Sequence, residues 1–381
     1  LWVEGMARRQ GRSVELARNY LAHADGDTWQ DELARFFSGR IDAAELTRRE
    51  LGIVLDKSER MLALVAGLAG MLGLDDAQTI DARRAAYLAK ADLVTQMVTE
   101  MTSLQGIIGR EYALRSGEAP AVADAIGEQY LPVPATKAGL SVALADRLDS
   151  LVGLFAAGLA PTGTKDPFGL RRAAIGVVQP LIEHDINLDL SDAVKKSALL
   201  QPVPVSDEVQ AQVLEFVAGR LNVVLKDMGY RYDVVDAVLS AQSKNPAGSA
   251  RAVRTLQAWV EREDWRTILP AFARCVRITR DQKQTLVVDE KAFIEKEEKE
   301  LFKALEKAEK TKRTEGSMDD FLNTFVPMIP AVTACRSCQR SGRLSRLTTS
   351  TPSITSRSGP PTVRRMPSGM FCAAFISFIR W

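Results

Sequence analysis

The sequence predicts an all-α protein. In residues 61–72 and 83–101, apolar side chains recur at spacings of three and four residues, the period of a helix with one buried face. Alternating runs rich in β-branched residues, which are typical of strands, are almost absent from the 381 residues. A chain of this length is long enough for two or three domains, each with a core of its own.

Residues 158–174 join a turn rich in Gly and Pro to the start of a helix. We expect Asp166 to cap this helix and Pro167 to lie in its first turn, where the missing N–H of proline costs nothing. Arg171 and Arg172 then lie beside a loop of small and hydroxyl residues, which is a suitable place to bind a phosphate. The alternative is a capped core helix with solvated arginines.

A domain boundary is predicted near residue 200, because residues 190–207 include Pro202 and Pro204 and resemble a linker. Further helices are predicted beyond it, over residues 207–228, 233–241, 247–261, 265–278 and 289–314. The last of these is dominated by Lys and Glu that offer many i,i+4 charge pairs, so we interpret it as a long solvated helix.

The tail, residues 331–381, has a different composition, dominated by Ser, Thr, Arg and Pro. It holds eight of the 50 basic residues and no acidic residue, so residues 1–330 keep 42 basic against 48 acidic side chains, a net charge of −6. The tail is either a disordered basic arm or an aberrant, out-of-frame translation of a GC-rich gene, and we favour the second. Nucleic-acid binding by residues 1–330 therefore requires a local basic patch.

The cellular setting follows from a few simple features. No run of 18 apolar residues is present, so we expect no membrane partner. Cys275 is the only cysteine before the tail, which suits a reducing cytoplasm. The chain begins at Leu1 without an initiator Met or a secretory signal, so we expect a fragment of a longer cytoplasmic protein.

Catalytic and metal sites are expected to be absent. Cys335 and Cys338 form a Cys-x-x-Cys in the tail, but no second pair follows at a spacing typical of zinc sites. His23 and His184 are interpreted as surface or helix-capping histidines.

Asp92 and Asp146 lie in segments that resemble the helical HD phosphohydrolase family. That family binds a divalent metal with a His-Asp pair, an upstream His and a downstream Asp. Here Ala91 stands in place of the paired His, and residues 56–60 contain no His. We therefore interpret Asp92 and Asp146 as vestigial positions of an HD-like scaffold without a metal, although a metal-dependent nucleotide phosphohydrolase stays as the alternative function.

A second resemblance covers about residues 15–330 and rests on several motifs in order. The clearest is Lys165-Asp166-Pro167-Phe168-Gly169-Leu170-Arg171-Arg172-Ala173-Ala174, supported by the segments at residues 83–98, 104–113, 128–132 and 143–153. These motifs are similar to those of the β subunit of the bacterial two-subunit glycyl-tRNA synthetase, over roughly the C-terminal half of such a subunit.

This resemblance implies a division of labour between two subunits. In the family, the α subunit carries the class II active site that uses glycine, ATP and Mg²⁺, and the β subunit is needed to bind glycine tRNA. The chain would then be a noncatalytic part of a ligase, with no cofactor of its own and with the α subunit as partner in an α2β2 heterotetramer. A helical scaffold without an RNA role is the remaining alternative.

The resemblance also implies two domains: an HD-like helical domain over residues 1–200 and a DALR-type helical anticodon-binding-like domain over residues 205–330. In the second domain, basic and aromatic side chains interleave around a predicted helix end, which suits phosphate pairing and stacking on splayed bases. The candidate tRNA-binding residues are Arg171, Arg172, Arg220, Lys226, Tyr230, Arg231 and Tyr232. The alternative for Tyr230 and Tyr232 is that they fill the core between helices.

Overall fold

The computed structural model describes residues 54–279, 296–312, 314 and 317–334. In these ranges all regular structure is helical, apart from one isolated bridge between Thr162 and Lys165. The all-α prediction is confirmed for this part of the chain. None of the described helices is long and apolar enough to cross a membrane. His23, Cys335, Cys338, Cys372 and residues 289–295 of the predicted charged helix lie outside the described residues.

The described helices fall into two compact units, and the division lies between Val253 and Arg254, within helix α11. The helices up to the division are α1 Val54–Leu68, α2 Asp76–Leu88, α3 Gln96–Glu100, α4 Ile107–Arg115, α5 Pro120–Glu128, α6 Lys137–Ala156, α7 Leu170–Glu183, α8 Leu190–Ala198, α9 Asp207–Asp227, α10 Tyr232–Ala241 and α11 Pro246–Val260. Those that follow are α12 Trp265–Thr279, α13 Lys296–Lys310, α14 Met318–Phe325 and α15 Ile329–Ala334. Two short 3₁₀ helices flank α3, at Ala91–Val94 and Thr102–Leu104, and a third, Val326–Met328, precedes α15.

Helix α6 is the centre of the first unit. It packs against α1, α2, α5, α7, α8 and α9, and fifteen of its twenty residues are buried. Small side chains such as Ala143 and Ala145 let neighbouring helices approach it closely. Because α9 packs on α6, α7 and α8, residues beyond the predicted boundary at 200–205 belong to the same compact unit. The two domain types inferred from the resemblance stay predictions.

The second unit has its own apolar core. Trp259 of α11 is buried, and its indole N–H donates a hydrogen bond to Asp319 at the start of α14 (2.8 Å). Phe272 makes edge-to-face contacts with Phe321 and Phe325, with ring centroids 6.0 and 5.8 Å apart. Helix α15 includes residues 331–334, and Val332 is buried, so the first four residues of the predicted tail continue a packed helix.

One continuous helical segment was predicted over residues 83–101, and this prediction is wrong. Helix α2 ends at Leu88, a 3₁₀ turn follows, and α3 begins at Gln96. Thr95 has an extended backbone and caps α3 by accepting from the amide of Val98 (3.3 Å). The apolar period persists through the break, which is why the sequence pattern conceals it.

The predicted linker at residues 190–207 is wrong over its first half, which forms α8. Asp189 caps this helix by accepting from the amide of Ser191 (2.7 Å). Leu190, Ala193, Val194 and Ser197 are buried on one face, at the spacing of a packed helix. Pro202 and Pro204 follow the helix rather than defining the whole segment.

Candidate functional site

Residues 162–172, called the 162–172 loop below, comprise a compact turn and the first three residues of α7. Backbone hydrogen bonds between Thr162 and Lys165 run in both directions, at 3.2 and 2.9 Å. Gly169 then takes a left-handed conformation with φ of 66°, which a residue with a side chain rarely adopts. The chain enters α7 at Leu170, so the prediction that Pro167 lies in the first helical turn is wrong.

Asp166 nevertheless caps α7, as predicted, from four residues upstream. Its carboxylate oxygens accept hydrogen bonds from the amides of Leu170 (2.8 Å) and Arg171 (2.9 Å). The carboxylate therefore satisfies two amides at the helix start and supplies the negative charge that this end favours. The N-terminus of α7 is thus already occupied by a side chain of the chain itself.

Arg171 and Arg172 have different surroundings. The guanidinium of Arg171 donates to the carbonyl of Gly163 across the loop, so Arg171 is not a free solvated arginine. The side chain of Arg172 is exposed and lies over Gly169, and Lys165 is exposed on the same loop. Within the described residues, neither Arg172 nor Lys165 forms a salt bridge with an acidic side chain.

The remaining candidate tRNA-binding residues surround the junction of α9 and α10. Two of the cations there are paired with acids: Lys226 with Asp236 (3.1 Å) and Arg231 with Asp233 (2.7 Å). These pairs leave little net positive charge at the junction. A backbone phosphate would have to compete with the carboxylates for the same cations.

The aromatic residues at this junction differ in exposure. Tyr232 begins α10 and is 71% exposed, so the alternative that it fills the core is wrong. Tyr230 is half-buried in the turn after α9. Arg220 lies on α9 with its guanidinium 5.9 Å from the ring centroid of Phe216, and this ring packs on Phe155 of α6. Of the two candidate tyrosines, Tyr232 is therefore the one whose ring is exposed enough for a base to stack on it.

Asp146, one of the two aspartates predicted to be vestigial, lies in a polar cluster of the first unit. Lys57 of α1 and Lys90, which follows α2, each place an ammonium 3.0 Å from the Asp146 carboxylate on α6. Burial alone would raise the pKa of Asp146, but the two ammonium groups outweigh burial and hold its pKa well below the usual range. Lys90 also donates to the hydroxyl of Tyr130 (2.9 Å).

Asp149, one helical turn along α6, extends this cluster. Its carboxylate accepts from Arg60 (2.6 Å), from Lys57 (3.3 Å) and from Gln201 (3.0 Å). Burial favours the neutral acid, yet Lys57 and Arg60 lower the pKa of Asp149 below its ordinary value. Lys57, Lys90, Asp146 and Asp149 are referred to below as the lysine–aspartate cluster.

Asp92 is buried apart from these ion pairs. One carboxylate oxygen accepts from the amide of Gly106 (2.6 Å), the residue before α4, and the other has no hydrogen-bond partner among the described residues. Burial raises the pKa of Asp92, and the Gly106 amide and the charge of Lys90 oppose this only in part. Asp92 thus caps the start of α4, fourteen residues along the chain. Gly106, the N-cap residue of α4, has no side chain that could do so.

The cluster does not fit a divalent metal site. In the described residues, no group of three or more His, Cys, Asp or Glu is placed to hold a metal ion. The Asp146 carboxylate faces two ammonium groups, and a divalent cation brought there would meet their charges. Sequence inspection singled out Asp92 and Asp146 but missed Lys57, Lys90 and Tyr130, because their roles depend on contacts 40 to 89 residues apart.

His184 lies at the end of α7, as predicted for a helix-capping histidine. Its amide donates to the carbonyl of Pro180 (3.0 Å). A nitrogen of its ring lies 2.7 Å from the carbonyl oxygen of Pro134, which anchors the loop before α6 to this helix end.

Known proteins match a large part of this chain. The glycine–tRNA ligase beta subunit of Desulforudis audaxviator is 43% identical over 252 residues, which cover 63% of this chain and 36% of that protein. The corresponding subunit of Desulforamulus reducens is 40% identical over 273 residues, covering 68% and 39%. The chloroplastic/mitochondrial glycine–tRNA ligase 2 of Arabidopsis thaliana is 40% identical over 265 residues, covering 68% and 25%. The chain therefore spans only about a quarter to two fifths of the length of these relatives.

The match also holds at the level of the family. Residues 46–240 match the sequence profile described as the glycyl-tRNA synthetase beta subunit. This range contains the 162–172 loop, the lysine–aspartate cluster and the junction of α9 and α10. The resemblance that rests on the motif at residues 165–174 is confirmed: the chain belongs to the glycyl-tRNA synthetase beta subunit family.

Proposed function

We propose that this chain contributes tRNA binding to a glycine–tRNA ligase as part of its β subunit. The observation that carries the proposal is the family match over residues 46–240. An α subunit is the partner that supplies the active site, with ATP and Mg²⁺, in an α2β2 assembly in the cytoplasm. The chain itself acts on glycine tRNA by recognition and not by chemistry.

The side chains favour two kinds of RNA contact in the first unit. Tyr232, exposed at the start of α10, offers a flat ring on which an unstacked base can lie. The neighbouring ion pairs of Lys226 and Arg231 keep the junction close to neutral. Base stacking therefore contributes more to the free energy of RNA binding at this junction than charge does. The 162–172 loop instead offers Lys165 and Arg172, which are exposed and form no salt bridge with an acidic side chain in the part of the chain that the structure describes.

A nucleotide phosphohydrolase receives no support from the described geometry. Asp146 is held by two lysines, and Asp92 is turned toward the start of α4. Neither carboxylate is arranged to activate a metal-bound water. We therefore do not carry this alternative further.

The proposal is tested by measuring how the full chain binds glycine tRNA and the same tRNA with an altered anticodon. Measurements at about 50 and about 200 mM salt separate the charge-dependent part, because phosphate contacts weaken steeply as salt rises. We expect salt-sensitive binding with a preference for the natural anticodon. Binding that shows neither feature would leave the helical scaffold without an RNA role as the better account.

A matched pair of variants tests the role of Tyr232. Tyr232→Ala removes an exposed ring, and Ile80→Ala removes another exposed large side chain, on α2. We expect Tyr232→Ala to weaken binding of glycine tRNA by about fivefold to a hundredfold, the range found for one stacked base. Ile80→Ala should leave the affinity unchanged. Equal affinities for the two variants would exclude stacking at Tyr232.

A further inference from the structure

We propose that the 162–172 loop binds the RNA backbone through Lys165 and Arg172, with Arg171 and Asp166 holding the loop in shape. This inference rests on the proposed function, because the ligand is taken to be tRNA. It adds Lys165 to the candidate residues and separates the roles of Arg171 and Arg172.

The loop carries more positive than negative charge. Lys165, Arg171 and Arg172 are positive, and Asp166 is the one acid in the 162–172 loop. The Asp166 carboxylate is used by the amides of Leu170 and Arg171 and caps α7. The loop therefore presents Lys165 and Arg172 without a salt-bridged acid among the described residues.

The loop is also held in shape by hydrogen bonds between its own residues. Backbone hydrogen bonds join Thr162 and Lys165 in both directions, and the Arg171 guanidinium donates to the Gly163 carbonyl. Arg172 lies over Gly169, so that a methyl group added to this glycine would lie 3.6 Å from the Arg172 guanidinium. A braced loop loses less conformational entropy when it binds a ligand than a free loop does.

The other cations of the candidate set have different surroundings. Lys226 and Arg231 are each paired with a carboxylate on their own surface. Arg220 lies against Phe216. Arg220 also lacks a salt-bridged acid among the described residues but is only half-exposed, whereas Lys165 and Arg172 are both exposed and lack one. Exposed guanidinium and ammonium groups of this kind are the usual ligands of backbone phosphates.

The first test is the double variant Lys165→Gln/Arg172→Gln, with Arg83→Gln/Arg115→Gln as its control. The control removes the same charge from two exposed arginines on α2 and α4. For the loop variant of the full chain, we expect an affinity for glycine tRNA about tenfold lower and a salt dependence shallower by about one to two in log–log slope. The control should change both quantities little.

The comparison of two tRNAs sharpens this test. Phosphate contacts carry no sequence information. The loop variant should therefore lower the affinity for glycine tRNA and for the anticodon-altered tRNA by the same factor. A loss confined to glycine tRNA would overturn the phosphate role. So would a loop variant that keeps the affinity and slope of the wild type, while the proposed function would still stand. A wild-type chain that binds neither tRNA would overturn both.

Arg171 is assigned as a positioning residue, and its test uses the salt slope. Arg171→Gln removes a charge that, on this account, does not touch RNA, so the affinity should fall about threefold while the slope stays at the wild-type value. Arg171→Lys keeps one donor for the Gly163 carbonyl and should recover part of the affinity. A reduced slope in Arg171→Gln would show direct contact with phosphate and overturn the positioning role.

Discussion

At the scale of single residues, Asp92 and Asp146 are held in opposite electrostatic states by their surroundings in the first unit. Asp146 faces Lys57 and Lys90, which favour its charged form and lower its pKa. Asp92 has one amide donor and an oxygen without a partner among the described residues, and burial raises its pKa. The same side chain therefore gains from ionisation at one position and is penalised by it at the other.

This contrast predicts opposite pH dependences for two isosteric variants. Relative to the wild type, Asp92→Asn should become more stable as the pH rises from about 4 to the raised pKa of Asp92 and then level off, because the wild type must ionise a buried acid. Asp146→Asn should be less stable than the wild type at neutral pH, and its deficit should shrink as the pH falls below about 4, where the wild type loses its ion pairs. Urea unfolding at several pH values measures both differences.

Two outcomes would contradict this assignment. If the stability differences of both variants from the wild type change in the same direction as the pH rises, the environments of the two carboxylates are not opposed. If the difference between Asp92→Asn and the wild type is independent of pH above about 4, Asp92 is not a buried acid with a raised pKa.

At the scale of the elements, helix contacts depend on where small residues lie as much as on where apolar ones lie. Gly176 on α7 is crossed by Arg147 of α6, whose guanidinium donates to the Gly176 carbonyl (2.9 Å) and to the carbonyl of Leu131 (2.6 Å). A methyl group at position 176 would lie 2.5 Å from a guanidinium nitrogen of Arg147. At Gly219 on α9, no described atom outside the helix's own neighbouring backbone lies within 4 Å of the equivalent point.

These two glycines make a matched pair of predictions. Gly176→Ala should lower the free energy of unfolding by about 1–3 kcal/mol, because Arg147 must leave both of its carbonyl acceptors or the helices must separate. Gly219→Ala should raise it by about 0.5–1 kcal/mol, since alanine is the better helix former and meets no obstacle. Chemical denaturation of both variants measures this, and a stabilising Gly176→Ala would show that Arg147 moves without cost.

The helices differ in how well the local sequence pattern predicts their bounds. Helices α9 to α12 lie within one or two residues of their predicted bounds, because each carries a clear apolar period and a start or stop signal. The break between α2 and α3 was missed, since Thr95 starts α3 and Asp92 caps α4 by contacts that no apolar period reveals. Helix α8 was missed for a different reason: two prolines beyond its end outweighed the buried face at Leu190 and Val194.

At the scale of the whole molecule, charge is distributed very unevenly along the chain. All eight arginines of the tail lie beyond residue 334, and the chain before them has 42 basic and 48 acidic residues. A long-range attraction to nucleic acid must therefore come from the tail, while local patches such as the 162–172 loop act within a Debye length.

This distribution predicts what removing residues 335–381 does to RNA binding. Binding of poly-uridylate, which offers backbone without a tRNA shape, should weaken and lose much of its salt dependence, because up to eight cations are removed. The ratio of affinities for glycine tRNA and its anticodon-altered form should be unchanged. Filter binding of the truncated and full chains at two salt concentrations measures both, and an unchanged affinity for poly-uridylate would show that the tail arginines do not reach RNA.

The helical class, most helix bounds and the family of this protein follow from its sequence alone. These depend on periodicity and on motifs such as residues 165–174, which are properties of neighbouring residues. The folded chain was needed to show that Asp146 is held by Lys57 and Lys90, that Asp92 caps α4, and that Lys165 and Arg172 are the loop cations without a paired acid among the described residues. The reason is physical: the electrostatic state of a side chain is set by the charges and dipoles around it in space, and packing brings these together from distant parts of the chain.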